Sequence, residues 1–536
     1  MGYIELANVR FALPGGRVLF DDLSFKVSSG KHVALVGANG VGKTTVLRLL
    51  SGEETPQEGV VRVDGRLGYM RQFVGSFDAR ATVHDLFLGL AEQRIRSSWE
   101  ALQRAEHIVA GPHGGSAQMR YAEALAAWGE AGGYDAEVLW DTCTTAALGK
   151  PLSEVGSRPL STLSGGEQKR VALELFFRSE FDVLLLDEPD NFLDIPGKRW
   201  LENNLNGLKK TVLYVTHDRA MLANTAHALV TLEGQAGWTH SGRFSTYMAA
   251  RQHRLEKIEE ERRRYKEEHA RIVAQIAEFK RRAAMNDKFA SRARAAESKL
   301  GRFERESAPR DSVKAQDIRM DLGGGRSGKI ALRTIGLELP GLVAPFDAEV
   351  WFGDRVGVVG ANGTGKTHFL RLLAGEEVAH HGEWKLGARV EPSLFSQFHD
   401  RPDLDGDHSI VDALKREGLY LGQAISALKR YELQEVANIP FSLLSGGQQA
   451  RLQILMMELR GSTMLLLDEP TDNLDIESAE ALEEALSRYE GTVIVVTHDR
   501  WFMGMLDRFL IFNPDGSVAE SSDPPCLTER MTLATS

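Results

Sequence analysis

An α/β fold in two tandem copies is what this sequence predicts, and three observations predict it. First, four chemically unlike motifs occur twice in one order. The first set is Gly37-Ala38-Asn39-Gly40-Val41-Gly42-Lys43-Thr44, Leu163-Ser164-Gly165-Gly166-Glu167, Leu184-Leu185-Leu186-Asp187-Glu188-Pro189 and Thr216-His217-Asp218. The second is Gly360-Ala361-Asn362-Gly363-Thr364-Gly365-Lys366-Thr367, Leu444-Ser445-Gly446-Gly447-Gln448, Leu465-Leu466-Leu467-Asp468-Glu469-Pro470 and Thr497-His498-Asp499. Second, the spacing is equal: 23 residues from Ser164 to Asp187 and from Ser445 to Asp468, then 30 from Asp187 to His217 and from Asp468 to His498. Third, each glycine-rich loop stands between a short apolar run (33–36; 356–359) and a helix-like stretch, the strand–loop–helix setting of a phosphate loop. A motif set repeated at fixed spacing marks a duplicated unit, so any function uses two nucleotide sites.

Taken in order, residues 1–243 form the first domain. Ile4-Glu5-Leu6 and Leu23-Ser24-Phe25-Lys26-Val27 alternate like strands with one exposed face. Gln72 and Gln397 each follow a short strand, yet Gln72 precedes Ser164 by 92 residues and Gln397 precedes Ser445 by only 48. The surplus falls within about 84–148, in helical stretches broken at Gly111-Pro112-His113-Gly114-Gly115 and Gly132-Gly133, and predicts a helical arm inserted in the first domain.

Residues 244–328 form a linker. Ile258, Tyr265, Ile272 and Phe279 fall seven apart, with Leu255 and Ile276 on the same side, and Phe289, Ala293, Ala296, Leu300 and Phe303 continue at spacings of 4, 3, 4 and 3. Both are coiled-coil stripes, and a break at Met285-Asn286-Asp287 folds them into an antiparallel hairpin. Its first helix, about 245–284, spans roughly 60 Å. Lys280, Arg281, Arg282, Lys288, Arg292 and Arg294 cluster around the turn. After Ala308-Pro309 the chain reads as a loose return through Gly323-Gly324-Gly325. The second domain occupies 329–514, and 515–536 is a short polar tail.

The 536 residues suffice for two or three domains with proper cores, and 43% apolar with 26% charged residues is ordinary for a soluble globular protein. No apolar run approaches bilayer length, the N-terminus lacks the basic-then-apolar pattern of a secretory signal, and two cysteines, Cys143 and Cys526, form no disulfide framework or metal site. A cytoplasmic protein is expected. The net charge of −11 argues against general nucleic-acid binding, but residues 251–310 hold 18 Lys/Arg against 11 Asp/Glu. A basic segment on an acidic protein points to one polyanion-facing surface.

The repeated motifs specify phosphate chemistry. Gly37, Asn39, Gly40 and Gly42, and likewise Gly360, Asn362, Gly363 and Gly365, turn backbone N–H groups toward nucleotide phosphates. Lys43 and Lys366 place a charge near the β- and γ-phosphates, and the Thr44 and Thr367 hydroxyls are magnesium ligands. Asp187 and Asp468 end central strands where a carboxylate helps hold Mg²⁺. Glu188 and Glu469, one residue on, are candidates to orient or deprotonate the attacking water. His217 and His498, after another apolar strand, are candidate γ-phosphate contacts. Ser164-Gly165-Gly166 and Ser445-Gly446-Gly447 open helices whose N-terminal N–H groups face an anion.

With that last motif the chain resembles the ATP-binding cassette superfamily over both halves. The resemblance implies head-to-tail pairing within a monomer: Lys43, Glu188 and His217 with Ser445–Gly447, and Lys366, Glu469 and His498 with Ser164–Gly166. It also implies that Gln72 and Gln397 join the ATP-bound magnesium. Two fused cassettes, an arm in the first, a charged helical hairpin between them, and His217-Asp218-Arg219 with His498-Asp499-Arg500 are similar to the ABC-F proteins. These are ribosome-associated translation factors, some conferring antibiotic resistance. Membership implies ATP-driven closure in the ribosomal E site, the hairpin reaching toward P-site tRNA and the 23S rRNA of the peptidyl-transferase centre, and release on hydrolysis.

The chain departs from the family run Asp-Glu-Pro-Thr-Asn-x-Leu-Asp at Asp190, in place of Thr, and at Asp472, in place of Asn, while keeping Asp194 and Asp475. Thr45, placed to meet the α-phosphate, is His368 in the second loop. Leu13 and Leu339 align where an aromatic would stack on adenine. Two unequal sites are therefore expected. Two other readings keep the same ATP chemistry: the ATPase component of a drug exporter, and a DNA-associated cassette ATPase.

Overall fold

In the computed structural model of the chain, which describes residues 2–71, 81–109, 115–283, 288–307, 318–396 and 408–524, the run before each glycine-rich loop is a central strand. The first sheet has the order Leu67–Met70, Val183–Asp187, Thr211–Val215, His32–Gly37, Ala228–Glu233, Ala236–His240. The second repeats it as Pro392–Phe395, Met464–Asp468, Thr492–Val496, Arg355–Gly360, Arg508–Phe512, Val518–Ser521. Neighbouring strands are parallel except for the last pair of each sheet. A parallel strand covered on both faces shows no polar side, and Val183–Asp187 and Met464–Asp468 are accordingly buried at every position. A three-stranded antiparallel sheet completes each unit: Val18–Val27, Tyr3–Ala12 and Glu58–Asp64, then Val343–Trp351, Ile330–Leu339 and His381–Leu386.

Strand order positions the chemistry. Val183–Asp187, Thr211–Val215 and His32–Gly37 are adjacent, so Asp187, the Thr216-His217 turn and the first glycine loop emerge side by side at their carboxyl ends. The second unit gathers Asp468, Thr497-His498 and its loop in the same way.

The helical faces differ. Between Pro392–Phe395 and its Leu-Ser-Gly-Gly motif the second unit has, among the described residues, only the helices Ile410–Arg416 and Leu421–Arg430 and two short 3₁₀ turns. The first has Val83–Leu90, then Gln93–Val109, Gly115–Glu130 and Gly133–Leu148, which are the predicted arm. Phe87, Trp128, Trp140 and Cys143 seat it in the core, with Phe87 and Trp140 stacked 5.6 Å apart. Gly133 is required for that packing, since a Cβ there would lie 2.0 Å from the Trp128 ring. Residues 111–114 of the other predicted break lie outside the described residues.

The linker is a 40-residue helix, Phe244–Ala283, followed by a 20-residue helix, Lys288–Ser307. Met285-Asn286-Asp287, the predicted turn, lies outside the described residues. Ile272, Ile276 and Ala296 form the hairpin's own core with Phe279, Leu300 and Phe303 against them, and Tyr265 stacks on Phe303 at 4.9 Å. The root of the long helix packs elsewhere. Phe244 and Tyr247 enter the first unit's core, while Arg251 pairs with Glu233 of that unit and with Glu477 of the other.

The return was expected to be loose, and its later part is docked. Met320 and Leu322 enter the second unit's core, and the Asp321 N–H donates to Glu458 at 3.0 Å. Two apolar residues with a polar one between them carry too little pattern to announce this. No helix among the described residues is long and apolar enough to cross a membrane.

Candidate functional site

Each glycine loop wraps its own lysine. Lys43 Nζ donates to the Gly37 and Ala38 carbonyls at 2.7 and 3.2 Å, and Lys366 Nζ to those of Gly360 and Ala361 at 2.9 and 2.8 Å. Burial depresses both lysine pKa values, and neighbouring acids oppose the shift, with Asp475 and Glu188 first for Lys43 and Glu469 for Lys366. The loops press close to the sheet: a Cβ on Gly37 would lie 2.7 Å from the Leu232 carbonyl oxygen, and one on Gly360 would lie 2.3 Å from that of Phe512. The loop's remaining predicted members Asn39, Gly40, Gly42, Thr44 and Thr45, with Asn362, Gly363, Gly365 and Thr367, line the same turns into helices Lys43–Ser51 and Lys366–Leu373.

The acids stand opposite. Thr44 Oγ1 donates to Asp187 Oδ2 at 3.0 Å. Burial raises the pKa of Asp187 and of Asp468, each opposed by the threonine hydroxyl of its own loop. Glu188 (φ 49°) and Glu469 (φ 46°) occupy the left-handed region that residues with side chains avoid, each held there by its N–H to the Val215 or Val496 carbonyl at 3.0 and 2.9 Å.

Around these two glutamates the sites part company. Asn191 Nδ2 donates to Glu188 Oε2 at 2.7 Å, and burial, Asp187 and Asp190 push Glu188 up to about 7. At the same place beside Glu469 stands Asp472, which with burial drives Glu469 well above the usual carboxylate range. Burial, then Lys43, pushes His217 down to about 3; burial, then Lys366 and Lys198, holds His498 far below its ordinary value. Both imidazoles are therefore neutral, and the 3.5 Å approach of His498 Nε2 to Glu469 Oε1 is a neutral contact, not an ion pair. The His498 backbone N–H donates to Glu469 Oε2 at 3.0 Å.

Each site is completed by the other unit. Ser164 caps Gly165–Arg178 and Ser445 caps Gly446–Arg460, each serine N–H donating in return to the side-chain oxygen of Glu167 or Gln448, so both helix N-termini are fixed. Ser164, Gly165 and Gly166 line a cavity of about 550 Å³ together with Lys366, Thr367, Glu469 and His498. On the other side Asn39 Nδ2 donates to the Asn473 carbonyl at 2.9 Å, the Asn39 N–H donates to Asp475 Oδ2 at 3.1 Å, and a Cβ on Gly447 would lie 2.3 Å from Asn39 Nδ2. Asn362 Nδ2 reaches the Phe192 carbonyl at 3.1 Å in the same manner. The glycine loop of each unit thus meets the Leu-Ser-Gly-Gly motif of the other.

Gln72 and Gln397 lie outside the described residues. The base-stacking alignment needs correction on one side. Leu339 is 1% exposed and belongs to the second unit's core, whereas Leu342 and His368 line the cavity. Leu13, 37% exposed, follows the strand Tyr3–Ala12.

Sequence reasoning also missed the contacts that join the units. Arg219 pairs with Glu483 and lies 3.5 Å from Asp499; Arg500 pairs with Glu202 and lies 3.6 Å from Asp218. The available signal was the repeat itself, because Glu202 and Glu483, like Arg219 and Arg500, are 281 residues apart, the same offset as His217 and His498.

A family model described as ABC transporter matches residues 20–191 and 343–472, one match in each unit. The chain is 47% identical over 550 residues to a protein named antibiotic resistance protein from Mycobacteroides abscessus, covering 98% of this chain and 100% of that one. It is 27% identical over 512 residues to the energy-dependent translational throttle protein EttA of Mycobacterium tuberculosis, covering 91% and 87%. Among solved structures, the archaeal ribosome recycling factor aABCE1, in complex with ribosomal stalk protein aP1, matches with a TM-score of 0.55 at 19% identity over 94% of this chain and 87% of that one, a likeness of fold.

Proposed function

The chain belongs to the ABC transporter family of ATP-binding cassette proteins, in its ABC-F branch, and from that premise we propose that it is an ATPase working on the ribosome. ATP closes the two cassettes head to tail in the E site, and the linker hairpin is presented toward P-site tRNA and 23S rRNA. The observation that carries this reading is the hairpin. Its long helix is rooted on both cassettes, and its outer part exposes Lys280, Arg281, Arg282, Arg292 and Arg294. Arg282 and Arg292 flank the Phe289 ring at 5.8 and 5.4 Å, an aromatic–guanidinium arrangement suited to RNA phosphates and bases. The names of the two relatives, antibiotic resistance protein and translational throttle protein, support the same field.

Phosphoryl transfer needs positioning and charge stabilisation more than covalent help. Lys43 and Lys366 supply charge at the transferring group, and the loop glycines and the opposite cassette's signature N–H groups cradle it. Glu188 and Glu469 orient and deprotonate the attacking water, and the neutral His217 and His498 contact the γ-phosphate. Magnesium fits the described oxygen donors, Thr44 with Asp187 and Thr367 with Asp468, to which the resemblance would add Gln72 and Gln397; among the described residues Asp468 Oδ1 is buried with no hydrogen-bond partner and is free to accept a hard cation. Bound with the nucleotide, it would neutralise charge on the β- and γ-phosphates.

Cosedimentation of the Glu188→Gln/Glu469→Gln protein with ribosomes tests the reading. Ribosome binding that requires ATP is expected. A variant that binds ATP and ignores ribosomes would overturn it.

A further inference from the structure

We propose that Lys198, supplied across the interface by the first cassette, is a positioning residue for hydrolysis at the Lys366 site, where it pins the backbone of His498, and that the Lys43 site has no such residue. This rests on reading His498 as the γ-phosphate contact of that site.

Lys198 lies in the helix Ile195–Gly207, which follows the first cassette's Asp194, yet it lines the cavity of the other cassette's phosphate loop beside Glu469, Asp472 and His498. Its Nζ is 3.4 Å from the His498 carbonyl oxygen, to which it donates, and 3.1 Å from Asp218 Oδ2. Asp218 follows His217. One side chain therefore links the switch turn of its own cassette to the backbone of the switch histidine in the other. Asp190 and Asp472, the two departures from the family run, line the same cavity as Lys198 and, like Asp499, act electrostatically on its ammonium. What read in the sequence as two unrelated irregularities are two acids, buried Asp190 and half-buried Asp472, that share the surroundings of one buried lysine. A buried ammonium of this kind is tenable only when compensated, and the acids compensate it.

The repeat supplies the control. At the 281-residue offset Lys198 corresponds to Ala479 and Asp190 to Thr471. The Arg219–Asp499 and Arg500–Asp218 approaches are reciprocal, so they treat both sites alike. Lys198 does not. At the Lys43 site an alanine stands where the ammonium would reach the His217 carbonyl. Fixing a sensor backbone in trans ties turnover at one site to the closed arrangement of the other cassette's switch turn.

The experiment uses the full chain and single-site backgrounds. With Glu188→Gln, turnover is confined to the Lys366 site; with Glu469→Gln, to the Lys43 site. Lys198→Ala should lower kcat about ten-fold in the first background with KM for ATP within about two-fold, and change the second by less than about two-fold. Equal losses in both backgrounds, as a general weakening of closure would give, overturn the proposal, as does no loss in either.

Because Lys198→Ala takes a cation from Asp218, which keeps Arg500 at 3.6 Å, and from the vicinity of buried Asp190, the charge-balanced Asp190→Thr/Lys198→Ala protein is the second variant. It gives the first cassette the pair the second already carries. It should melt near the parent and still show the loss at the Lys366 site; recovery to the parental rate would mean that Lys198 only neutralises Asp190, and would overturn the proposal. His498→Ala in the Glu188→Gln background separates the two readings. If it leaves turnover intact, the reading of His498 fails, whatever Lys198 does.

Discussion

At the scale of single residues, the informative groups are those whose environment contradicts their type. His32, at the start of a central strand, is 2% exposed, its imidazole set beside the backbone of Leu208 and Lys210. Burial, with His227 and Lys31 nearby, pushes its pKa down to about 4. As pH falls below about 6.5 the unfolded chain takes up a proton that the folded chain refuses until about pH 4, so stability is present above 6.5 and is lost toward 4, by about 3 kcal/mol. Melting temperature followed from pH 7 to 4.5 should fall less steeply in His32→Leu than in the parent, and parallel curves would refute it. That the repeated motifs would converge at the strand ends was legible residue by residue, because phosphate chemistry restricts which types can stand there. Asp190 and Asp472 were legible only as anomalies. Lys198, the cation on whose ammonium both act, stands in a helix of ordinary composition, and nothing local announces that the helix faces another cassette's cavity.

At the scale of elements, the linker helix separates ion pairs that matter from ion pairs that decorate. Arg251 is 12% exposed between Glu233 and Glu477, at 6% and 18%, whereas Arg263 and Glu267 are both 70% exposed and 3.9 Å apart. Removing Arg251 takes the cation from Glu477, while Glu233 keeps Arg254, and stranding a buried partner costs about 3 kcal/mol or more, whereas an exposed helical pair contributes about 0.5 kcal/mol at most. Arg251→Ala should therefore lower the melting temperature by several degrees and Arg263→Ala by less than one, and similar shifts would show that the root is not held by this pair. The stripe of Tyr265, Ile272, Ile276 and Phe279 gave away the hairpin, since seven-residue spacing has few other uses. The root was not legible. Phe244, Tyr247 and Arg251 continue the stripe of Ile258 and Tyr265 toward the N-terminus, and periodicity does not say that at this end it meets two different surfaces, one in each cassette.

At the scale of the whole molecule, the two cassettes are cross-wired. Ser445 lies about four hundred residues from Lys43, yet its helix faces the first glycine loop, where a Cβ on Gly447 would lie 2.3 Å from Asn39 Nδ2. A bulky cation there should silence the distant site. With turnover confined to the Lys43 site by Glu469→Gln, Ser445→Arg should lower ATPase activity at least about a hundred-fold, the scale on which removing a transition-state donor acts. Unchanged activity would mean that each cassette works alone. The duplication itself was fully legible from spacing. The contacts between copies were not, because an interface belongs to two surfaces and periodicity describes only one.

The length of the linker helix also carries a mechanical consequence. From Arg251 to Ala283 the rod extends about 48 Å at 1.5 Å per residue, so a rotation of about 5° at its base sweeps the far end through about 4 Å. The base is gripped by both halves of the molecule, and the outer half is stiffened by the partner helix packed along Tyr265, Ile272 and Ile276. The cassettes are the short arm of a lever and the hairpin the long one. Its stroke is set by counting residues, and adding or deleting one heptad would lengthen or shorten the throw by about a fifth without touching the engine.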